Sequence, residues 1–328
     1  MKNQWLFPPK PTFTEKDVPS QAGRVFIVTG GNSGVGFELC KMLYPTGAKL
    51  YMACRSKERA EKAIQAIKEA HPHVKDTSSL AFLPLDLNDL ESVKAAAATF
   101  QKQETKLDVL WNNAGLGGLR VPPGFRTAQG FEPMVGIHLI ATLLFTELLR
   151  PQLRDAAATS SPGAVRVIWL SSIAAEGSTP PNGLKFEELD EGTSDRLYNY
   201  AYSKSGSWFL AREMARRYAP DGIVSVALNP GNLKANSYEG MPWYGMMLMG
   251  PLLHHPKYGG YTELFAGLSP QITQENSGAY VIPWGRIQTD EQCGRKDIVK
   301  ALKSTEEGGL GYPKRLWEWC EEKWKPYV

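Results

Sequence analysis

Cysteine is scarce in this chain and unpatterned. Cys40, Cys54, Cys293 and Cys320 are scattered over 328 residues with no C-x-x-C pair. That spacing offers neither a zinc site nor a disulfide framework, and it fits a reducing compartment. An excess of one charge is also lacking: 37 Lys and Arg face 34 Asp and Glu, a formal net charge of +3, with no long basic run. Nucleic acid is therefore not an expected partner. No apolar run approaches the roughly 20 residues that cross a bilayer. The most apolar exception, residues 243–253, is broken by Gly245, Gly250 and Pro251. The N-terminus shows no charged-then-apolar leader, and Pro326-Tyr327-Val328 matches no lipidation or sorting tail. The cytoplasm is the expected location, and contact with a membrane surface is the most membrane association that this composition allows.

What is present is the composition of a large globular core, 42% hydrophobic and 22% charged. Residues 1–22 read as an arm: Pro8, Pro9, Pro11 and Pro19 exclude a regular helix, while Trp5, Leu6 and Phe7 can pin it to the surface. From Gly23 onward strand-like runs (25–29, 49–54, 80–85, 109–112, 165–171, 223–228 and 279–283) alternate with helical ones (58–70, 90–103, 131–149 and 203–218). In the first of these helices Ala60, Ala63, Ile64 and Ile67 share one face opposite charges. This alternation predicts an α/β fold: one doubly wound domain over 23–328, with a central parallel sheet of about seven strands and helices on both faces. Residues 155–163 and 178–195 read as loops. Residues 234–277 break the alternation and are expected to form an inserted lid over the C-terminal edge of the sheet. Near the C-terminus Leu316, Trp317, Cys320 and Trp324 fall on one helix face and read as core.

The chemistry begins at Val25-Phe-Ile-Val-Thr-Gly-Gly-Asn-Ser-Gly-Val-Gly36. A strand, a glycine-rich turn and a helix in that order present backbone N–H groups to a phosphate. The spacing of Thr29, Gly30, Gly34 and Gly36 differs from G-x-G-x-x-G. The second strand ends in Cys54-Arg55-Ser56, with no acidic residue to hold a ribose 2′-OH; Arg55 favours a 2′-phosphate, hence NADP over NAD. Asp86 either accepts a hydrogen bond from an adenine amino group or caps the next helix. The turn Asn112-Asn113-Ala114-Gly115 suits contact with a ribose or a neighbouring backbone. Tyr200 and Lys204 stand at i, i+4 and share a helix face, where the ammonium stabilises a phenolate and fits the tyrosine to exchange a proton near neutral pH. Tyr202 lies on another face. Ser171 and Ser172 end the fifth strand, where a hydroxyl can hold a reacting oxygen; neither sits in a G-x-S-x-G elbow, which disfavours a hydrolase.

Together these motifs resemble the short-chain dehydrogenase/reductase family. Thr29–Gly36 matches its cofactor loop, 112–115 its Asn-Asn-Ala-Gly turn, Tyr200 to Lys204 its Tyr-x-x-x-Lys and Asn229-Pro230-Gly231 its Pro-Gly turn. Cys54-Arg55-Ser56, the long gap from Ser172 to Tyr200, and residues 279–286 are similar to retinol-dehydrogenase-like and WW-domain-oxidoreductase-like members and to fungal members acting in secondary metabolism. The resemblance implies a Rossmann-type domain and an NADP-dependent oxidoreductase. Tyr200 would be the proton donor or acceptor, Lys204 its tuner and a ribose contact, and Ser172 the orienting hydroxyl. Gly30, Ser33, Gly34, Val35, Gly36, Arg55, Asp86, Asn113 and Leu233 would join Tyr200 and Lys204 in holding the cofactor. Two departures stand out. His138 occupies the place of an asparagine that holds a relay water behind the lysine; it is expected either to sustain, slow or retune proton transfer or to be a satisfied buried histidine. Ala235 replaces a threonine near the nicotinamide, with Asn236 or Ser237 as substitutes. Met241, Trp243, Tyr244, Met246, Met247, Leu248 and Met249 suggest a bulky apolar or aromatic small-molecule substrate, a subunit contact in a homo-oligomer, or a membrane-surface contact. The rival readings are a cofactor-binding regulator with impaired catalysis, or a site turned to dehydration, epimerisation or cyclisation.

Overall fold

A computed structural model describes residues 7–74, 79–234, 243, 247 and 250–328. Strands β1 (Val25–Thr29), β2 (Lys49–Cys54), β3 (Ser79–Pro84), β4 (Val109–Asn112), β5 (Arg166–Leu170), β6 (Val224–Leu228), β7 (Tyr280–Ile282) and β8 (Arg286–Gln288) form one sheet in the order β3-β2-β1-β4-β5-β6-β7-β8. All neighbours are parallel except the β7–β8 pair, so the sheet has eight strands where about seven were expected. The extra strand is a three-residue antiparallel return, too short to show a period in the sequence.

Alternate residues of each buried strand feed two apolar layers, as a sheet covered on both faces requires. Ile27, Leu110, Val167 and Ala227 point into one layer. Phe26, Val28, Trp111, Ile168 and Val226 point into the other. The main helices among the described residues are α1 (Gly34–Leu43), α2 (Lys57–Ala70), α3 (Leu90–Gln103), α4 (Pro133–Leu148), α5 (Arg150–Thr159), α6 (Arg196–Arg217), α7 (Pro256–Leu268), α8 (Lys296–Leu302) and α9 (Tyr312–Trp324). Ser56 caps α2 by accepting the Arg59 N–H, and Asp89 caps α3 by accepting that of Glu91.

Four expectations need correction. Residues 155–163 are not all loop, because α5 extends to Thr159, with Leu153 and Ala156 buried; the alanines that suggested a loop are strong helix formers. α6 starts seven residues before Ser203, because Asp195 accepts the N–H groups of Leu197 and Tyr198 and so sets the cap earlier. Phe7 is 66% exposed and does not pin the arm; Trp5 and Leu6 lie outside the described residues, and Phe13 is buried edge-on against Phe265 at 6.2 Å. Within 234–277, residues 256–268 are α7, a core helix against α1 rather than a cover over the sheet edge. Gly267 lets α7 close on β4, since a Cβ there would overlap the Trp111 ring; the Trp111 indole N–H donates to the Glu263 carbonyl at 3.0 Å. Leu316, Trp317 and Cys320 are buried core of α9. Among the described residues no single helix is long and apolar enough to cross a membrane.

Candidate active site

A cleft of about 650 Å³ opens at the C-terminal edge of β1, β2, β4, β5 and β6, the edge at which open α/β sheets bind ligands. Its first half is built from main chain. Ser33 is extended (φ −159°, ψ 164°) and precedes α1, whose first turn carries no acidic residue. The helix therefore offers its N–H groups and positive dipole end to the cleft. Gly30, Ser33, Gly34 and Val35 line this half. Gly36 does not, and its function is close packing: a Cβ there would stand 2.5 Å from Asn113 Nδ2 and 2.7 Å from the Gly30 oxygen. Asn113 lines the cleft while its Nδ2 donates to the Thr29 carbonyl at 2.7 Å, and Ala114 N–H donates to Thr29 Oγ1 at 2.9 Å. The Asn-Asn-Ala-Gly turn thereby locks β4 to the glycine turn.

Arg55, Ser56 and Arg59 line the far end of this half, with Arg55 exposed at the mouth. Asp86 lines it too, and its Oδ1 accepts the Asn88 N–H at 2.9 Å. Asp89, not Asp86, is the α3 cap. Leu233 is buried at the cleft wall against Val35 and Trp284.

Tyr200, Lys204 and Ser172 meet in the second half. The two serines separate cleanly. Both line the cleft, but Ser171 is buried and its hydroxyl donates to the Lys204 carbonyl at 2.7 Å, whereas Ser172 is half-buried and its Oγ accepts the Ala174 N–H at 3.2 Å. Lys204 Nζ lies 5.8 Å from the Tyr200 ring centre and donates to the Leu170 carbonyl at 3.0 Å. Burial pushes the Lys204 ammonium down to about 7, an effect that the Glu263 carboxylate opposes. Tyr202 is buried in the core and does not line the cleft.

His138 sits in a π-helical stretch of α4, Gly136–Ala141. Its Nε2 accepts the Leu116 N–H at 2.9 Å, so the neutral ring carries its proton on Nδ1, 2.8 Å from Ser203 Oγ. Burial, with Lys204 nearby, holds its pKa well below the usual histidine range. Gly115 fits between these groups: a Cβ there would lie 2.9 Å from His138 Nε2 and 3.2 Å from Lys204 Nζ. Ala235, Asn236, Ser237, Met241, Tyr244, Met246, Leu248 and Met249 lie outside the described residues. Trp243 and Met247 are exposed, at 76% and 71%.

Sequence reasoning missed two residues. Ser203 sits inside the Tyr-x-x-x-Lys motif as one of its unspecified positions. Glu263 on α7 is 1% exposed, and neither carboxyl oxygen has a hydrogen-bond partner. Burial pushes its carboxyl up to about 8, against the pull of Lys204. A lone acid among buried Gly259, Gly260, Leu264 and Phe265 was the available signal.

A family model described as short chain dehydrogenase matches residues 24–183. A short-chain dehydrogenase/reductase of Pestalotiopsis fici, iacJ, is 45% identical over 99% of this chain and 98% of its own length. Another from Neocamarosporium betae, bet4, is 43% identical over 98% of this chain and 92% of its own. Among solved structures, a Mycobacterium paratuberculosis protein superposes with a TM-score of 0.67 at 25% identity, covering 95% of this chain and 97% of its own. The NADPH-bound carbonyl reductase from chicken fatty liver shares the fold, with a TM-score of 0.60 at 24% identity over 81% of this chain and 98% of its own. With whole-length relatives at this identity, and its glycine turn and Tyr-x-x-x-Lys pair gathered at one sheet edge, the chain belongs to the short-chain dehydrogenase/reductase family.

Proposed function

We propose that this protein is an NADP(H)-dependent oxidoreductase acting between a carbonyl and the corresponding alcohol on a bulky apolar or aromatic small molecule, in the cytoplasm and within fungal secondary metabolism. One observation carries the reading: Tyr200, Lys204 and Ser172 line the same cleft as the α1 N-terminus and Arg55. The residues present fit the dinucleotide. The glycine turn leaves the backbone bare where a pyrophosphate approaches, and a Cβ at Gly30 would stand 3.0 Å from the Ala114 Cα. Arg55, beside Ser56 and Arg59 at the cleft mouth, supplies charge for a 2′-phosphate.

The bound cofactor supplies or takes up the hydride. Ser172 Oγ donates to the substrate oxygen and fixes the orientation of the reacting carbon. In the reductive direction the Tyr200 phenol gives its proton to that oxygen as the alcohol forms, and in the oxidative direction the phenolate takes it back. Lys204, held to Leu170, places positive charge beside the ring and favours the phenolate. The apolar substrate reading is supported by Leu116, Leu119, Ile173, Ala174 and Leu197 along this half of the cleft.

Replacing Tyr200 with Phe is expected to lower turnover by at least about 100-fold while leaving NADPH affinity unchanged. NADPH oxidation with an aromatic ketone and a separate binding titration read the two quantities. Undiminished turnover in that variant removes Tyr200 from the chemistry.

A further inference from the structure

His138 is held at both ring nitrogens, and the direction of every bond is determined. The Leu116 N–H can only donate, so Nε2 accepts, at 2.9 Å. The remaining proton on Nδ1 then points to Ser203 Oγ at 2.8 Å, and the Ser203 hydroxyl donates onward to the Tyr200 carbonyl at 2.8 Å. This gives a one-way chain from the loop after β4 to the main chain of Tyr200 itself. It leaves the imidazole no lone pair with which to accept a proton from Lys204. An imidazolium would have two donors facing Leu116 N–H and Ser203, and would stand beside the Lys204 ammonium.

Two further contacts join the same elements. The 116–121 loop is held to the first turn of α6 by Arg196 Nη1, which donates to the Val121 carbonyl at 2.6 Å. Gly118 packs so closely there that a Cβ would stand 2.5 Å from the Arg196 carbonyl oxygen and 3.3 Å from Tyr200 Cβ. His138 is the interior member of this set. Among the described residues the charged or titratable groups facing it are Lys204 and Tyr200, both on α6; the β4 loop meets it at Gly115 and Leu116.

We propose that His138 is a positioning residue: through Ser203 it ties the cleft wall at Leu116 to the main chain of Tyr200, and it carries no proton between the site and solvent. The proposal rests on the hydride-transfer reading above for its kinetic consequences, and on the hydrogen-bond directions alone for its structural ones. Loss of the tie frees the wall that shapes the substrate half and loosens the turn that presents Tyr200. The placement of Lys204 beside the Tyr200 ring does not depend on the tie.

The test uses the full-length protein with NADPH and phenanthrenequinone as the carbonyl probe. His138→Phe is expected to lower kcat/KM by roughly ten- to hundred-fold, the scale of a small misplacement of reacting groups. His138→Asn, which keeps a donor for Ser203, and Ser203→Ala are expected to lose less. In all three the limbs of the pH profile stay where they are in the parent protein, and added imidazole restores nothing. Nitrogen-15 spectra of the parent are expected to show the neutral Nδ1–H tautomer of His138 throughout about pH 5 to 8. A displaced limb, rescue by imidazole, or titration of His138 in that range overturns the proposal. The spectra need neither turnover nor a folded variant. An active Tyr200→Phe protein would therefore sink the hydride-transfer reading, while the tie would still stand or fall on the spectra.

Discussion

In the dinucleotide half of the cleft the walls are main chain: a glycine turn, a helix N-terminus and strand ends cross-linked by Asn113 and Thr29. In the substrate half they are side chains, such as Leu119, Ile173 and Leu197. Main-chain walls tolerate almost no added volume, because the glycines already sit at contact distance. Side-chain walls can change shape without moving the sheet. A fold that must hold one cofactor and many possible substrates places its rigidity where the ligand is constant.

The largest expected break in this contrast is Gly36→Ala. The new methyl meets Asn113 Nδ2 at 2.5 Å and the Gly30 oxygen at 2.7 Å, so either the Asn113–Thr29 bond or the turn must give way. NADPH affinity is expected to fall more than about 100-fold, read by fluorescence titration, with a loss of stability of about 1–3 kcal/mol. Retained affinity would show that the turn is softer than its contacts suggest.

Glu263 is buried behind the cleft and interacts with Lys204 through charge. Its carboxyl stays protonated in the folded protein up to about 8, while in the unfolded chain it ionises near 4.5. Folding therefore loses stability as pH rises between those values, and the deficit is constant above them. Glu263→Gln is expected to change little below about pH 4.5 and to stabilise by about 1–3 kcal/mol above pH 8. Denaturant titrations at the two extremes of pH measure the difference. A gain that is equal at both would contradict it.

Arg55→Ala tests the exposed edge of the main-chain half. Its expected effect is a loss of roughly tenfold in NADPH affinity with NADH affinity unchanged, about 1.4 kcal/mol for one charge-assisted contact. Equal losses for both cofactors would remove Arg55 as the reader of the 2′-phosphate. The smallest effect belongs to the side-chain wall: Leu197→Ser, at a half-exposed position, is expected to raise KM for an aromatic ketone by about fivefold, near 1 kcal/mol of apolar contact, without changing NADPH binding. A shift in NADPH affinity would mean that the two halves are coupled.

The same contrast explains how much of the molecule was legible in the sequence. The main-chain half announces itself because glycines, a strand-end arginine and an Asn-Asn-Ala-Gly turn are local features with a fixed order. Gly30, Ser33, Gly34, Val35, Arg55, Asp86, Asn113 and Leu233 all reach the cleft. Gly36, which the motif groups with the cofactor residues, does not line the cleft and packs against Asn113 and Gly30, a distinction that spacing does not reveal. The resemblance singles out Ser172 over Ser171, and the physical reason is long-range: the Ser171 hydroxyl is bonded to the Lys204 carbonyl. α7 was hidden because Gly259, Gly260 and Gly267 read as breakers, although here they are the surfaces that let a helix approach Val35, Met42 and Trp111. The roles of His138 and Glu263 depend on which long-range groups meet them, and neither meeting has a sequence period.

Gly115 has a consequence for how such sites diverge. Its missing side chain is the space into which the His138 ring and the Lys204 ammonium both project. Position 115 and position 138 therefore share a single volume, and a side chain at 115 collides with the ring while histidine stands at 138. A relative with any side chain at 115 must carry something smaller than histidine at 138, and a lineage that acquires the histidine is bound to the glycine thereafter. The order of change is thereby constrained: the histidine can shrink while the glycine stays, but the glycine can gain a side chain only after the ring has gone or shifted.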